Sequence, residues 1–234
     1  MAENAALNLN DEHIRTDGYS ERLKDFSVPR DGTSVYFRNL EARLIAHIQL
    51  AQEVVGCVAW MTNPRILEAL RHKAGVSIVV QKEDFLRPDA GQLHKRSLRE
   101  LYDSLPSLTR FGFHLLGSMS THSDPTVEAV RCVGVQSNAA SPKMHHKFVV
   151  FCRSGRSSSV AEELYGGVAP IPYAVWTGSF NFTHTGTRSF ENAVYIEDPE
   201  ISRAYLNEWE QIAALSEPLD WDSPYVAPQW RIGS

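Results

Sequence analysis

The chain has 234 residues, of which 43% are hydrophobic and 22% are charged, and its formal net charge at pH 7 is -5. These values are typical of a globular protein with one large domain and a sizeable buried core. The negative charge excludes a protein that binds nucleic acid through its overall charge. Any site for a polyanion must therefore be a local basic patch.

The cysteines and the N-terminal sequence indicate the cellular compartment of the protein. Cys57, Cys132 and Cys152 form no close pair, and each lies in apolar or strand-like sequence, which predicts buried thiols in a reducing compartment. The N-terminus has no basic segment followed by an apolar one, and nowhere is there a run of about 18 apolar residues. We therefore expect a cytoplasmic protein that does not contact a membrane.

The first part of the chain predicts an arm followed by alternating elements. Residues 1–32 are polar and end in the turn-forming sequence VPRDGTS, so we expect a mobile or peripheral arm there. The pattern then indicates strand, helix, strand, helix and strand. These elements fall at residues 34–37, 38–53, 54–61, 62–73 and 76–81. The second strand is nearly all apolar, which is typical of a strand covered on both faces.

The second part continues the same alternation. It predicts a helix at 97–106, strands at 110–116, 128–135, 145–152, 173–179 and 192–197, and a terminal helix over 198–216 capped by Asp198. Residues 153–172 are rich in Ser and Gly and indicate an excursion between strands. We predict an α/β domain over residues 33–215, with a mixed central sheet flanked by helices on both faces. Residues 216–234 form a tail that packs on the domain or on a partner.

His145 and Lys147 stand two residues apart in the sequence SPKMHHKFVVF. Residues i and i+2 of a strand point to the same face, so the two side chains emerge together. Burying a lysine in an apolar sheet without a nearby carboxylate would be costly, and we expect the pair to face a cleft. A histidine and a lysine at this spacing are a weak signal alone, and a solvated strand end is the alternative. Ser179, Asn181 and Glu191 add polar side chains downstream.

The three motifs together resemble the phospholipase D superfamily, whose signature is H-x-K-x4-D followed by G-S-x-N or G-S-x-x-N. The chain carries HHK, GSFN and SFENAVYI in that order, and the resemblance is closest to the single-motif bacterial nuclease branch. It is strong over residues 143–211 and weaker over the first half of the domain. The resemblance implies a phospholipase D-like sandwich with phosphodiesterase activity.

The resemblance also implies roles for the motif residues. His145 would attack phosphorus and form a covalent phosphohistidine, which suits a neutral imidazole near pH 7. Lys147 and Asn181 would bind a non-bridging phosphoryl oxygen, with Ser179 as a third polar contact. Glu191 is the candidate to orient the His145 ring and to stabilise its cationic form. This scheme needs no metal and no other cofactor.

Two features depart from the family pattern. Cys152 stands where the family has its aspartate, and the following sequence has no carboxylate until Glu162. In the family this aspartate supports the structure more than it reacts. The interval from Cys152 to Gly178 is also longer than usual, which implies an inserted loop at 153–172. A nucleophilic role for Cys152 is the less favoured interpretation, because a thiol in VVFC is most often simply buried.

Further charged side chains are candidates for substrate binding. A basic rim is predicted from Lys143, Arg153, Arg156 and Arg188. The alternative is an ordinary solvated surface. His184 follows GSFNFT and is a candidate for the cleft, with a solvated loop histidine as the alternative. His146 points to the face opposite His145, which favours a core or supporting histidine.

A single H-x-K motif predicts a dimer. Phosphohistidine chemistry needs one histidine to attack and another on the opposite side of phosphorus to protonate the leaving group. The chain has no second H-x-K motif, so the second set must come from another subunit. We predict a twofold symmetric homodimer with both copies of His145, Lys147 and Asn181 at its interface.

The favoured function is a metal-independent endonuclease that cleaves DNA or RNA. The sequence does not distinguish the two polymers, nor single from double strands. A protein partner could supply part of the nucleic-acid binding surface, and the tail at 216–234 is where we expect that partner to bind. The alternatives are a phospholipase or another phosphodiesterase with a lipid or small-molecule substrate, and a scaffold that has lost turnover.

Overall fold

The computed structural model describes residues 8–82, 92–118, 126–134, 143–155 and 169–219. Within these ranges the strands, in chain order, are β1 (His13–Thr16), β2 (Tyr19–Arg22), β3 (Thr33–Tyr36), β4 (Glu53–Val58), β5 (Gly75–Gln81), β6 (Leu108–Thr109), β7 (Thr126–Val127), β8 (Val130–Val133), β9 (Lys147–Gly155), β10 (Ala169–Gly178), β11 (Ala193–Ile196) and β12 (Glu217–Pro218). The α-helices are α1 (Leu40–Leu50), α2 (Pro64–Arg71), α3 (Gln92–Asp103), α4 (His114–Ser118) and α5 (Pro199–Leu215).

The fold is built on one mixed sheet of eight strands in the order β12-β8-β5-β4-β9-β10-β11-β3. Strand β5 runs parallel to both β4 and β8. Strand β9 is antiparallel to β4 and β10, and the sheet continues antiparallel through β11 to β3. The central strands β4 and β5 are buried along their whole length, as the apolar sequence of β4 predicted.

Apolar side chains cover both faces of this sheet. One core cluster joins Val149 and Phe151 of β9 to the buried faces of α1, α2 and α3. The other joins Phe148 and Val150 to α5 and α4 and includes the fully buried Trp209. Alternate residues of β9 therefore belong to different cores, as the period of two in a strand requires. The predicted mixed sheet flanked by helices on both faces is confirmed.

The sequence predicts capping at two helix starts, by Thr62 or Asn63 before α2 and by Asp198 before α5. The Asn63 side chain accepts from the backbone N–H groups of Arg65 and Ile66, and Pro64 begins α2. The Asp198 side chain accepts from the N–H of Ile201 at the start of α5. These short-range bonds are readable from sequence because cap and helix are neighbours in the chain.

The strand predicted at 110–116 is wrong. Residues 110–112 form a short 3-10 helix, and α4 begins at His114. The Glu210 side chain on α5 accepts hydrogen bonds from the backbone N–H groups of Leu115 and Leu116. A distant carboxylate thus caps this helix, and the sequence of the segment carries no sign of it.

The boundaries of other elements also differ from those predicted. Strand β9 begins at Lys147, so His145 and His146 precede the strand in which they were predicted. Strands β9 and β10 extend into the predicted excursion at 153–172, whose residues 156–168 lie outside the described part. The N-terminal arm contains the exposed hairpin β1-β2, which its polar sequence did not predict. The tail adds β12 at the edge of the sheet, beside β8, and residues 220–234 lie outside the described part.

Cys152 lies opposite Glu53 in the pairing of β9 with β4. Its thiol is fully buried, as predicted, and burial raises its pKa. Burial also raises the pKa of the Glu53 carboxyl, whose Oε1 accepts from the Ser154 hydroxyl at 3.0 Å. A carboxyl group therefore stands beside position 152, although a different strand provides it.

Replacing Cys152 by aspartate should destabilise the protein. A second carboxylate would be buried opposite Glu53, so we expect Cys152→Asp to lower the free energy of unfolding at pH 7 by about 2 kcal/mol or more. The folded state would raise the pKa of the new carboxyl. The loss should therefore be complete at neutral pH and disappear as pH falls below the unfolded value of about 3.9.

Urea denaturation at pH 7 and pH 5 measures this effect, with Cys152→Ser as the uncharged control. Equal stability of the two variants at pH 7 would contradict the expected burial of the new charge.

Candidate active site

The polar motif residues gather at one end of the central sheet. The parallel strands β4 and β5 end there, β9 and β11 begin there, and β10 ends there. His145 precedes β9, Ser179 follows β10 and Glu191 precedes β11. Antiparallel pairing thus brings together segments that lie far apart in the chain.

His145 and Lys147 form the centre of this cluster. The Lys147 side chain is only 8% exposed, and its Nζ donates to the backbone carbonyl of His145 at 2.9 Å. The same Nζ lies 6.0 Å from the centroid of the Trp60 ring. The His145 side chain is exposed, and its imidazole meets the Trp60 ring edge to face, with centroids 5.9 Å apart. The histidine is open to a substrate while the lysine beneath it is held in place.

The surroundings favour the neutral form of His145. Partial burial lowers the pKa of the imidazole, and the positive charges of Lys147 and Lys143 lower it further. Burial also lowers the pKa of the Lys147 ammonium, while the charge of Glu191 opposes that shift. A neutral imidazole has a free lone pair, so these charges keep the ring nucleophilic to lower pH.

The backbone around His145 is anchored by the ends of β4 and β5. The Gln81 side chain, at the end of β5, accepts from the Met144 N–H at 2.7 Å. The Ala59 N–H, just beyond β4, donates to the His146 carbonyl at 2.9 Å. These bonds fix the residues on both sides of His145, so the imidazole does not project from a loose loop.

Ser179 connects the ends of β10 and β11. Its hydroxyl donates to Glu191 Oε2 and accepts from the Asn192 N–H at 3.0 Å. Gly178 makes this approach possible, because a Cβ there would lie 2.2 Å from the Asn192 carbonyl oxygen. Glu191 is thus held by Ser179 and acts electrostatically on Lys147. Its orientation of the His145 ring stays a prediction.

Asn181 lies in a loop that is tied to the end of β4. Neighbouring Phe182 pairs with Met61, and its N–H donates to the Trp60 carbonyl at 3.0 Å. The Asn181 Oδ1 atom is buried without a hydrogen-bond partner among the described residues. A buried polar atom without a partner costs free energy. Contact between the Asn181 NH₂ group and a phosphoryl oxygen stays a prediction.

Sequence reasoning missed Trp60 and Gln81. Both follow from position in the predicted strands, because each lies where a parallel strand ends. Trp60 is interpreted from sequence as part of an apolar strand, and Gln81 as the last residue of the next strand. Their contacts with His145 and Met144 exist only once β9 pairs with β4.

The predicted basic rim is divided in the structure. The exposed Lys143 acts electrostatically on His145, whereas Arg153 lies near the far end of β9 and contacts the Tyr173 ring at 4.9 Å. Arg188 ends a 3-10 helix that follows Asn181. Exposed His184 lines a cavity of about 560 Å³. Arg156 lies outside the described residues.

His146 points away from His145, as predicted. Its Nε2 lies 3.6 Å from Glu208 Oε1 on α5, and its ring meets Phe148 edge to face. The side chain is 49% exposed, so it is not a core histidine. It cannot serve as the second histidine across a phosphorus bound to His145.

The described ranges show neither a metal-binding cluster nor a membrane-spanning helix. They hold no cluster of three or more His, Cys, Asp or Glu side chains that could bind a metal ion. They also contain no helix whose length and apolar character would allow it to cross a membrane.

Comparison with known proteins gives relatives of several kinds. An uncharacterized protein, L381, of Acanthamoeba polyphaga mimivirus is 32% identical over 93% of this chain and 75% of its own length. Nuc from Salmonella typhimurium, a phospholipase D family member, is 18% identical with a TM-score of 0.44, over 76% of this chain and 91% of its own. NucT from Helicobacter pylori is 14% identical with a TM-score of 0.48, over 80% and 98%.

A family model settles the relationship. The model described as "Cardiolipin synthase, PLD-like domain" matches residues 44–213. This range includes His145, Lys147, Ser179, Asn181 and Glu191, and it spans most of the described sheet. The chain therefore belongs to the phospholipase D superfamily, through its PLD-like domain.

Proposed function

We propose that the protein is a metal-independent phosphodiesterase that cleaves DNA or RNA as an endonuclease. One observation carries this proposal: an exposed imidazole with a lowered pKa stands beside a buried lysine ammonium at the end of the sheet. A nucleophile and a fixed positive charge at one point are what attack on a phosphodiester requires.

The reaction has two displacement steps. A neutral ring nitrogen of His145 attacks phosphorus, the bond from phosphorus to the leaving oxygen breaks, and that oxygen takes a proton from the cationic His145 of the second copy. Water then attacks the phosphohistidine and gives a proton to that second, now neutral histidine, while the phosphorus–nitrogen bond breaks and the first His145 is regenerated. Lys147 and Asn181 stabilise the negative charge on the non-bridging oxygens in both steps. Glu191 is proposed to orient the site through its contacts.

Basic side chains near the site support a polyanionic substrate. Lys143 flanks His145, and His184 lines a cavity together with Arg22, Arg38 and Arg65. Asp11, Asp25 and Glu41 line the same cavity and nearly balance its charge, so Lys143 supplies the exposed positive charge closest to His145 along the chain. A phosphodiesterase that acts on a lipid or a small molecule is the second candidate, because the description of the matching family model names cardiolipin synthase. A scaffold without turnover is the third, because Cys152 replaces the family aspartate.

A cytoplasmic location, a helper protein and a role for the tail stay predictions.

Removal of the His145 imidazole should abolish cleavage. We expect plasmid DNA, single-stranded DNA or RNA to be cut in excess EDTA, and His145→Ala to lower the rate at least about 1,000-fold, because the nucleophile is lost. Gel assays of the purified protein measure this. His146→Ala is the matched control and should stay within a few-fold of wild type.

Loss of cleavage in EDTA, or cleavage retained by His145→Ala, would contradict the proposed mechanism. Vesicles of phospholipid assayed in parallel separate the candidates. Lipid hydrolysis without nucleic-acid cleavage would select the lipid enzyme.

The charge of Lys143 should lower the pKa of the His145 imidazole. Lys143→Gln removes one of the positive charges that lower the pKa of the imidazole, so that pKa should rise. The acid limb of the pH–rate profile should then move to higher pH, because the neutral ring appears later as pH increases. Titration of the His145 ring signal by NMR measures the shift directly. An unchanged or lower pKa would show that Lys143 does not act on the ring.

The site is proposed to be completed by a second copy of the chain. Since His146 turns toward Glu208, it does not supply the second histidine. We expect light scattering to give the mass of a dimer, twice 26.3 kDa. A fully active monomer would contradict the composite site.

A further inference from the structure

Phe190 is an exposed aromatic side chain next to the site. It is 55% exposed and directly precedes Glu191, whose carboxylate is bonded to Ser179. Glu191 acts electrostatically on Lys147, so the residue that precedes it lies beside the site. Isolated exposed apolar residues are common and need no explanation. Phe190 differs because a cation is fixed over it.

That cation is Arg38, whose Cζ lies 5.5 Å from the centroid of the Phe190 ring. The sheet explains the contact. Tyr36 of β3 pairs with Ala193 of β11, and continuing this antiparallel register places residue 38 opposite residue 191. One guanidinium nitrogen of Arg38 donates to the Phe37 carbonyl at 2.9 Å. Its Nε is buried and has no partner among the described residues.

Beyond Phe190, Arg38 lines the cavity of about 560 Å³ that also contains Arg22, Arg65 and His184. The cavity has carboxylates too. Asp25 is paired with Arg43 at 3.0 Å, Glu41 with Arg65 at 2.6 Å, and Asp11 accepts from the Asn8 amide at 2.8 Å. The neutral Asn8 amide does not cancel the charge of Asp11, so Arg38 and Arg22 together leave one net positive charge for an anion.

The N-terminal arm fixes the approach to Phe190. The Asn10 amide donates to the carbonyls of Thr187 at 3.0 Å and Ser189 at 3.2 Å. Asn10 thus holds the backbone directly before the exposed ring. A ring and a guanidinium that are fixed before binding lose less entropy when a ligand arrives.

We propose that Phe190 and Arg38 form a subsite for one nucleotide of a single-stranded nucleic acid, next to the phosphate that His145 attacks. The base stacks on Phe190, and a neighbouring phosphate binds Arg38. A duplex hides its base faces within the stack, so the ring can bind only a base that is unstacked. This inference rests on the proposed function for the position of the scissile phosphate and adds the strand preference.

Binding of fluorescein-labelled oligonucleotides measured by anisotropy tests the subsite without requiring turnover. The single strand should bind more tightly than a duplex of the same sequence. Phe190→Leu, which keeps an apolar side chain but removes the aromatic face, should weaken single-strand binding about tenfold. Phe190→Trp should retain it, and Arg38→Gln should weaken it and reduce its salt dependence. Tyr19→Leu is the control, because Tyr19 is another exposed aromatic side chain.

Three results would overturn the subsite: equal single-strand binding by Phe190→Leu and wild type, tighter binding of the duplex, or a changed mass of Phe190→Leu in light scattering. Hydrolysis of bis(4-nitrophenyl) phosphate, which has no base to stack, tests the proposed function separately. No hydrolysis of it or of any oligonucleotide would refute the function and leave the binding result standing. His145-dependent hydrolysis combined with unaltered binding by Phe190→Leu would refute only the subsite.

Discussion

The Lys147 ammonium is removed from water at the end of the central sheet, and the arrangement of the site depends on how that charge is held. An ammonium loses several kcal/mol of hydration when it is buried. Here the His145 carbonyl, the Trp60 ring and the charge of Glu191 offset part of that loss. Each partner comes from a different segment, so the lysine helps to hold those segments together. Its charge also lowers the pKa of the His145 imidazole.

The sheet order makes this convergence possible. Strand β9 lies between β4, which runs parallel to β5, and β10, which continues the antiparallel half. Close approaches hold the register on both sides of the site. A Cβ at Gly56 would lie 2.3 Å from the Phe148 carbonyl oxygen, and one at Gly178 would lie 2.2 Å from that of Asn192. The two glycines therefore let neighbouring strands approach where the site begins.

The face opposite Lys147 shows how the fold tolerates its departure from the family signature. Position 152 points into the core beneath α5, away from the His145 imidazole. A cysteine fits that apolar core as a small hydrophobic side chain. The adjacent Glu53 carboxyl is bonded to Ser154 and lies on β4. The change from aspartate thus alters the support of the sheet, while the exposed histidine and its lysine stand on the other face.

Elements whose signals are local could be predicted from the sequence. Caps at Asn63 and Asp198, apolar strands β4 and β5, and the three motifs with His145, Ser179 and Glu191 were all readable from neighbouring residues. The family resemblance added the expected fold, and the sheet and the family model confirm it.

Contacts between distant residues could not be predicted, because they depend on how strands and helices pack. Glu210 caps α4 from α5, Trp60 contacts His145, and Arg38 reaches Phe190 through the register of β3 with β11. The sequence spacing of these residues does not predict their contacts, because strand pairing and helix packing set the distances between their side chains. The sequence supplies the polar side chains, and the order and register of the strands determine which of them lie in one site.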